Sequence, residues 1–556
     1  MKKFLLLQFF LCSVIGYTQS LNNGLFNKFD QAYITYPSVP KGILEAVAYT
    51  KTRMQHIDPL TEPESCAGLP KVGGIMGLTI DGKGYFKNVL DLVSMKSGYS
   101  KAYILQSEQN TIQAYAKAFT IIQNELGIIS ANISNNILPL RYLSELPANT
   151  IQEQYAQDTE LYGILSLLND PVFMQKFGYK PYHVKLNNIF GQSNYAVLSS
   201  KKVIISGKTI TGSNNKVYQG QYKQACLEYP SAIWVAADPS NYSSRGGTPI
   251  SAITIHTIQG SYAGAISWFQ NPNSNVSSHY VLRSSDGQVT QMVCESDKAW
   301  HVGSGNPYTI GLEHEGYVSN PAWYTTAMYI SSADVCADIV NSGYGINPLR
   351  TAFWPWTSTT NYNSSGIPGS CSKIKGHQHF PNQTHTDPGQ YWDWDYFYKL
   401  INDPPPTTTN TTCTGSFNDS GGSGSDYGND ERNLTVISPS NASSVTITFN
   451  DFNLESDWDY MYIYDGNSVW APLIGYYTGT NNPGTITSNG GALAIEFRSD
   501  CATTSPGWTA NWTCTTTINA PSNLQSIIPT CSNTDYIANL TWDNADSGWY
   551  IDISTG

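Results

Sequence analysis

The sequence predicts a multidomain protein with three successive textures: a mainly helical N-terminal region, a central domain built around clustered histidines, and all-β sandwich modules towards the C-terminus. Its 556 residues exceed the size at which a single hydrophobic core stops growing. Seven of the nine histidines fall between residues 256 and 387, which sets the middle of the chain apart. A proline run from Pro404 to Pro406, followed by a Thr/Asn tract, marks the clearest boundary.

Residues 1–20 have the layout of a signal peptide: Lys2 and Lys3, an apolar run from Phe4 to Ile15, then small and polar residues near Thr18. The mature chain is therefore expected to be secreted, extracellular or at the cell surface. About a dozen apolar residues fall short of the roughly 20 that span a bilayer, and no later stretch is long and apolar enough, so no transmembrane anchor is expected. Residues 21–195 read as a helical accessory domain: Ile112, Tyr115, Ala116, Phe119 and Ile122 share one helical face, and the run stops at Gly127. Residues 226–402 form the central domain and 403–412 an extended Pro/Thr linker. Residues 413–515 carry short alternating runs such as Val445-Thr-Ile-Thr-Phe and Tyr460-Met-Tyr-Ile-Tyr, the pattern of a β-sandwich. Residues 518–556 start another β module and stop before it closes, as a fragment would.

A formal charge of −12 with 13% charged residues argues against nucleic acid or an anionic membrane as partner, since either calls for a basic surface. A long uncharged polymer fits better. Once Cys12 leaves with the signal peptide, nine cysteines remain. Export favours disulfides, and the odd count leaves at least one thiol unpaired or paired outside the chain.

His256 closes a strand pattern, Ala252-Ile-Thr-Ile-His-Thr, and a strand end can project one imidazole into a cleft. His377 and Asp387 lie in a turn-rich loop, Gly376-His-Gln-His-Phe-Pro-Asn-Gln-Thr-His-Thr-Asp-Pro-Gly. Two histidines and a carboxylate would hold zinc with the fourth tetrahedral position open for water, the catalytic arrangement.

With Ser277-Ser-His-Tyr-Val-Leu, Ala299-Trp-His-Val-Gly, Thr309-Ile-Gly-Leu-Glu-His-Glu-Gly and Trp392-Asp-Trp in the same order, residues 251–394 resemble the type-2 N-acetylmuramoyl-L-alanine amidases, relatives of phage amidases and peptidoglycan-recognition proteins. The resemblance implies an α/β zinc domain whose mixed central sheet is flanked by helices, with His256, His377 and Asp387 as ligands to one zinc ion. It implies Glu313 as the residue that activates water, and peptidoglycan as substrate. His279 and His301 match blocks that line the pocket or serve it through hydrogen bonds. Glu315, expected to face away from the site, is left a surface or structural role. His385 stands where many members of the family carry lysine, and could donate a hydrogen bond to the oxyanion in either protonation state. The alternative is a peptidoglycan-recognition or adhesion protein that binds without cutting, as relatives lacking a zinc ligand do. Here all three ligands and Glu313 are present, which favours the enzyme.

The flanks carry weaker resemblances. Pro40-Lys-Gly-Ile-Leu-Glu-Ala-Val-Ala-Tyr-Thr-Lys-Thr and Gly73-Gly-Ile-Met-Gly-Leu are similar to the opening of lysozyme-like transglycosylases, with Lys51-Thr52 replacing the catalytic Glu-Ser. Without that acid a leaving glycosidic oxygen cannot be protonated. Asp457-Trp-Asp-Tyr-Met-Tyr-Ile-Tyr-Asp-Gly and Phe497-Arg-Ser-Asp resemble a CUB domain, whose calcium-binding members imply Asp459 and Asp500 as ligands to Ca2+. The last segment is similar to the first half of a fibronectin type III domain.

Overall fold

The computed structural model describes residues 22–128, 132–148, 151–200, 228–229, 231–354 and 371–516. It also describes five short strands, Val203–Ser206, Thr209–Gly212, Val217–Tyr218, Ser522–Ile527 and Asn539–Asp543. The chain forms two compact units that divide between Ile401 and Asn402. The signal-peptide segment lies outside the described residues.

In the first unit, most of the secondary structure described between residues 22 and 198 is helical. α1 (Ile43–Thr52), α2 (Glu108–Glu125) and α3 (Ile151–Asn169) are the main helices that concern the site. Ser107 caps α2 by accepting from Asn110 N, satisfying a donor that the helix leaves free. Ile112, Tyr115, Ala116, Phe119 and Ile122 are all buried. The helix ends just before Gly127, whose φ of +67° favours glycine.

The central domain follows with β1 (Ile233–Trp234), β2 (Ala252–Thr257), β3 (Tyr280–Leu282), β4 (Val289–Gln291), β5 (Thr309–His314) and β6 (Ile374–Gly376), in the sheet order β6-β2-β5-β3-β4-β1. The β6-β2, β2-β5, β5-β3 and β4-β1 pairs are parallel and β3-β4 is antiparallel, so the sheet is mixed. Two helices, α4 (Tyr262–Phe269) and α5 (Thr326–Asn341), lie against it. β2 and β5 are buried at every position, as covered parallel strands are.

The helices and the sheet do not form separate bodies. One core runs from Phe29 and Ile112 through Phe269 to Val281 and Ala299, and α4 packs on α3. The boundary expected between residues 195 and 226 is thus not a break between compact units.

The second unit is a sandwich. β7 (Thr407–Asn410), β9 (Arg432–Ile437), β14 (Leu493–Arg498), β11 (Tyr460–Tyr464) and β12 (Leu473–Tyr477) form one sheet in that order. β8 (Thr414–Asn418), β15 (Gly507–Thr516), β10 (Ala442–Asn453) and β13 (Thr485–Thr487) form the other. Trp508, Trp512, Phe449 and Phe497 fill the space between them, and a Cys413–Cys514 disulfide ties the start of β8 to β15. Part of the segment expected to be a linker is built into this fold: β7 is an edge strand pairing in parallel with β9. Of the segment similar to fibronectin type III, two antiparallel strands are described, Ser522–Ile527 and Asn539–Asp543; the rest lies outside the described residues.

Candidate active site

β2 and β5 are in direct register, so His256 and Glu313 are neighbours across the strand pair and leave the sheet on the same face. Both sit near the carboxyl ends of parallel strands, where open α/β sheets place ligands. β6 ends at Gly376 and His377 follows at once. Gln378 N donates to Asp387 O at 3.0 Å, which folds the loop back and sets Asp387 beside His377. This approach requires glycine at 376, where a Cβ would sit 2.5 Å from Pro388 Cδ.

The protons around these residues can be traced. Thr309 Oγ1 gives its one proton to Gly305 O at 2.9 Å, so it accepts from His301 Nε2, 3.1 Å away. His301 then offers a lone pair at Nδ1, 2.9 Å from His256 Nε2. Burial keeps both rings neutral: it lowers His256 to about 4 and pushes His301 well below the imidazole range. His256 therefore carries its single proton on Nε2 and presents a bare Nδ1 to the site.

The second histidine is held in a similar way. His377 Nε2 lies 2.8 Å from Gln383 Oε1, which keeps the proton there. Its Nδ1 is buried without a hydrogen-bond partner, although Asp387 Oδ1 is 3.4 Å away. Asp387 Oδ2 faces His256 Nδ1 at 2.9 Å. Two bare imidazole nitrogens and a carboxylate thus converge with no proton between them, which is unfavourable unless a cation sits among them. The donor set suits zinc.

Glu313 is buried, and its carboxyl is pushed well up by burial and then by the charge of Asp387. His385 is half-buried, its ring 4.7 Å from that of His377 at 30°. Burial lowers its imidazole.

His301 touches the site through its contact with His256. His279 does not line it: Gly311 N donates to its Nδ1 at 3.0 Å, and its Nε2 lies 2.8 Å from Arg245 Nη2 and 3.1 Å from Asp297 O. Glu315 is buried rather than on the surface, accepting from Tyr262 N and Ser284 N. Strand alternation alone would aim it the same way as Glu313; β5 ends at His314, and the chain turns at Gly316.

One residue of the cluster was not anticipated. Cys66 Sγ, from the helical region, lies 3.7 Å from His256 Nδ1 and 3.5 Å from Glu313 Oε1. The position expected to be open is therefore approached by a thiol. Cys66 and Cys336 are the free cysteines among the described residues, and the odd cysteine count was the one available hint.

Lys51, in the place of a transglycosylase acid, is ion-paired with Glu145 and Glu160, so one cation is shared between these two carboxylates. In the sandwich, Asp459 and Asp500 come together as expected, and Glu455 joins them, the three carboxylates within 4.8 Å of one another.

The fold and site define an amidase-like α/β domain with a mixed sheet, followed by a CUB-like sandwich. The profile of the N-acetylmuramoyl-L-alanine amidase family (Amidase_2) matches residues 246–390, and that of the CUB domain matches residues 408–512. Over 177 residues, 32% of this chain, the sequence is 41% identical to N-acetylmuramoyl-L-alanine amidase A of Achromobacter lyticus, covering 96% of that protein. The chain belongs to the N-acetylmuramoyl-L-alanine amidase family.

Two other likenesses are partial. Cubilin of Canis lupus familiaris is 38% identical over 73 residues, 12% of this chain and 2% of cubilin. The solved structure of the Staphylococcus aureus hydrolase AmiA in complex with its ligand superposes with a TM-score of 0.24 at 20% identity, over 33% of this chain and 92% of that one.

Proposed function

We propose that this chain is a secreted, zinc-dependent amidase that hydrolyses the bond between the lactyl group of muramic acid and L-alanine in peptidoglycan. The observation that carries the metal assignment is the convergence of two bare, buried imidazole nitrogens on Asp387, with each histidine's proton held on its far nitrogen. His256, His377 and Asp387 hold the ion. When bound, zinc polarises the scissile carbonyl and lowers the pKa of attacking water towards about 7.

Glu313, on the strand beside His256, takes the proton of that water and returns it to the leaving amine. His385, packed on His377, donates an N–H to the oxyanion. His301 fixes the tautomer of His256. The CUB match and the disulfide support export, and Glu455, Asp459 and Asp500 form an all-oxygen set suited to calcium.

The test is metal content and mass spectrometry of products on purified peptidoglycan. The expected result is about one zinc per chain, and stem peptides with a free L-alanine amine whose release stops with a chelator. Release undiminished in a zinc-free preparation overturns the reading.

A further inference from the structure

A fourth donor atom, from the helical region, stands beside the three ligands assigned above. The Cys66 sulfur and the ligand atoms of His256, His377 and Asp387 all lie within 4.8 Å of one another, and the facing His377 Nδ1 is buried and unpartnered. A hydrolytic site keeps that position for water, whereas two histidines, a carboxylate and a thiolate make a closed tetrahedral set.

Segment 62–69, which delivers the sulfur, is tied to both rims of the site. Ser65 Oγ donates to Ile258 O at 2.5 Å, and Gln259 Nε2 donates to Glu62 Oε1 at 3.1 Å, both on the loop that follows His256. Ser319 Oγ donates to Glu62 Oε2 at 2.9 Å, on the loop that follows Glu313. Trp268 Nε1 of α4 donates to Ala67 O at 2.9 Å. Leu69 sits so close to Gly260 that a Cβ there would lie 2.8 Å from its Cδ1. The segment thus crosses the carboxyl ends of β2 and β5, the side on which open α/β sheets place ligands.

Resting on the zinc reading above, we infer that Cys66 is a fourth, protein-supplied zinc ligand and that segment 62–69 is an intramolecular inhibitor holding the resting enzyme closed. Withdrawal of the thiol breaks one metal–sulfur bond, the vacated position passes to water, and the leaving thiolate takes up one proton from solvent; no electron changes hands. The helical region is thereby given a role: it stations the plug.

Cobalt(II) exchanged for zinc in the full mature chain reports sulfur ligation as charge-transfer absorption in the near ultraviolet. The band is expected in the wild type and absent from Cys66→Ser and Cys66→Ala, with about one metal bound in all three. Both variants should release stem peptides about tenfold or more faster than the wild type, since only its open fraction can turn over. Alkylation mapped by mass spectrometry needs no variant: Cys66 should react only after chelation. A metal-loaded wild type without the band, equal rates in wild type and variants, or alkylation of Cys66 indifferent to the metal each overturns the inference and leaves the zinc reading standing. A chain that binds no metal overturns both.

Discussion

The histidine site at the end of the mixed sheet and the carboxylate cluster of the sandwich both gather charge in a small volume, by different means. In the first, every donor is aimed: Thr309 through His301 fixes His256, Gln383 fixes His377, and the Gln378–Asp387 bond closes the loop. In the second, Asp459 accepts from Tyr427 and from Asp500 N, while burial, the leading cause in each, raises all three carboxyls. Aimed nitrogen and sulfur donors in a buried pocket select a transition metal. Carboxylates that share a site until an ion arrives suit a harder cation.

The sharpest break in this comparison is removal of an aimed ligand. Asp387→Ala or His377→Ala should abolish zinc binding and activity together, read by metal analysis and stem-peptide release, while a sandwich substitution leaves both intact. Glu313→Gln should separate the two properties, with zinc retained and turnover falling about 10²–10⁴-fold, the scale of general acid–base catalysis. A full rate in Glu313→Gln would move the proton transfer to another group.

His385→Ala should cost about 10²-fold, the scale of one oxyanion donor. The sign of its pH dependence follows from burial, which lowers the imidazole pKa. The ring is then already neutral at neutral pH and acts through its N–H. Replacing it with Lys should therefore leave the alkaline limb of the rate profile where it was; an upward shift would show that an imidazolium does the work. A smaller effect is expected one bond further out, where His301→Ala should weaken zinc binding by about 10–100-fold through loss of the orienting bond.

What the sequence made legible follows from range. His256 and Glu313 are each at the end of an apolar strand run, so their convergence needed only strand pairing, and the turn-rich loop placed His377 near Asp387. Cys66 sits 190 residues from His256 along the chain, and neither composition nor periodicity relates the two; only a core shared by helices and sheet does. Residues 407–410 read as linker from their threonines and from the prolines just before them. Threonine also favours a half-exposed strand, and an edge partner decided the matter. Glu455 was missed because it lies outside the Asp457–Gly466 block that marked the cluster.

The last test concerns the sandwich alone. Asp459 is raised to about 7, by burial first and with Asp500 and Glu455 adding. A carboxyl whose folded pKa is raised contributes stability that is full below its unfolded pKa and lost as pH rises through the folded value. Without calcium, the sandwich should therefore lose stability between about pH 4 and pH 7. Calcium binds the ionised form and offsets that loss where it is complete. At 10–100 times a dissociation constant in the range of extracellular modules, the ion should add about 1.4–2.7 kcal/mol, a rise of several degrees in the sandwich melting transition. The rise should be larger at pH 8 than at pH 5 and absent from Asp459→Asn. Differential scanning calorimetry of the full chain in calcium and in chelator reads it, and an equal shift at both pH values would show that these carboxylates are not the site.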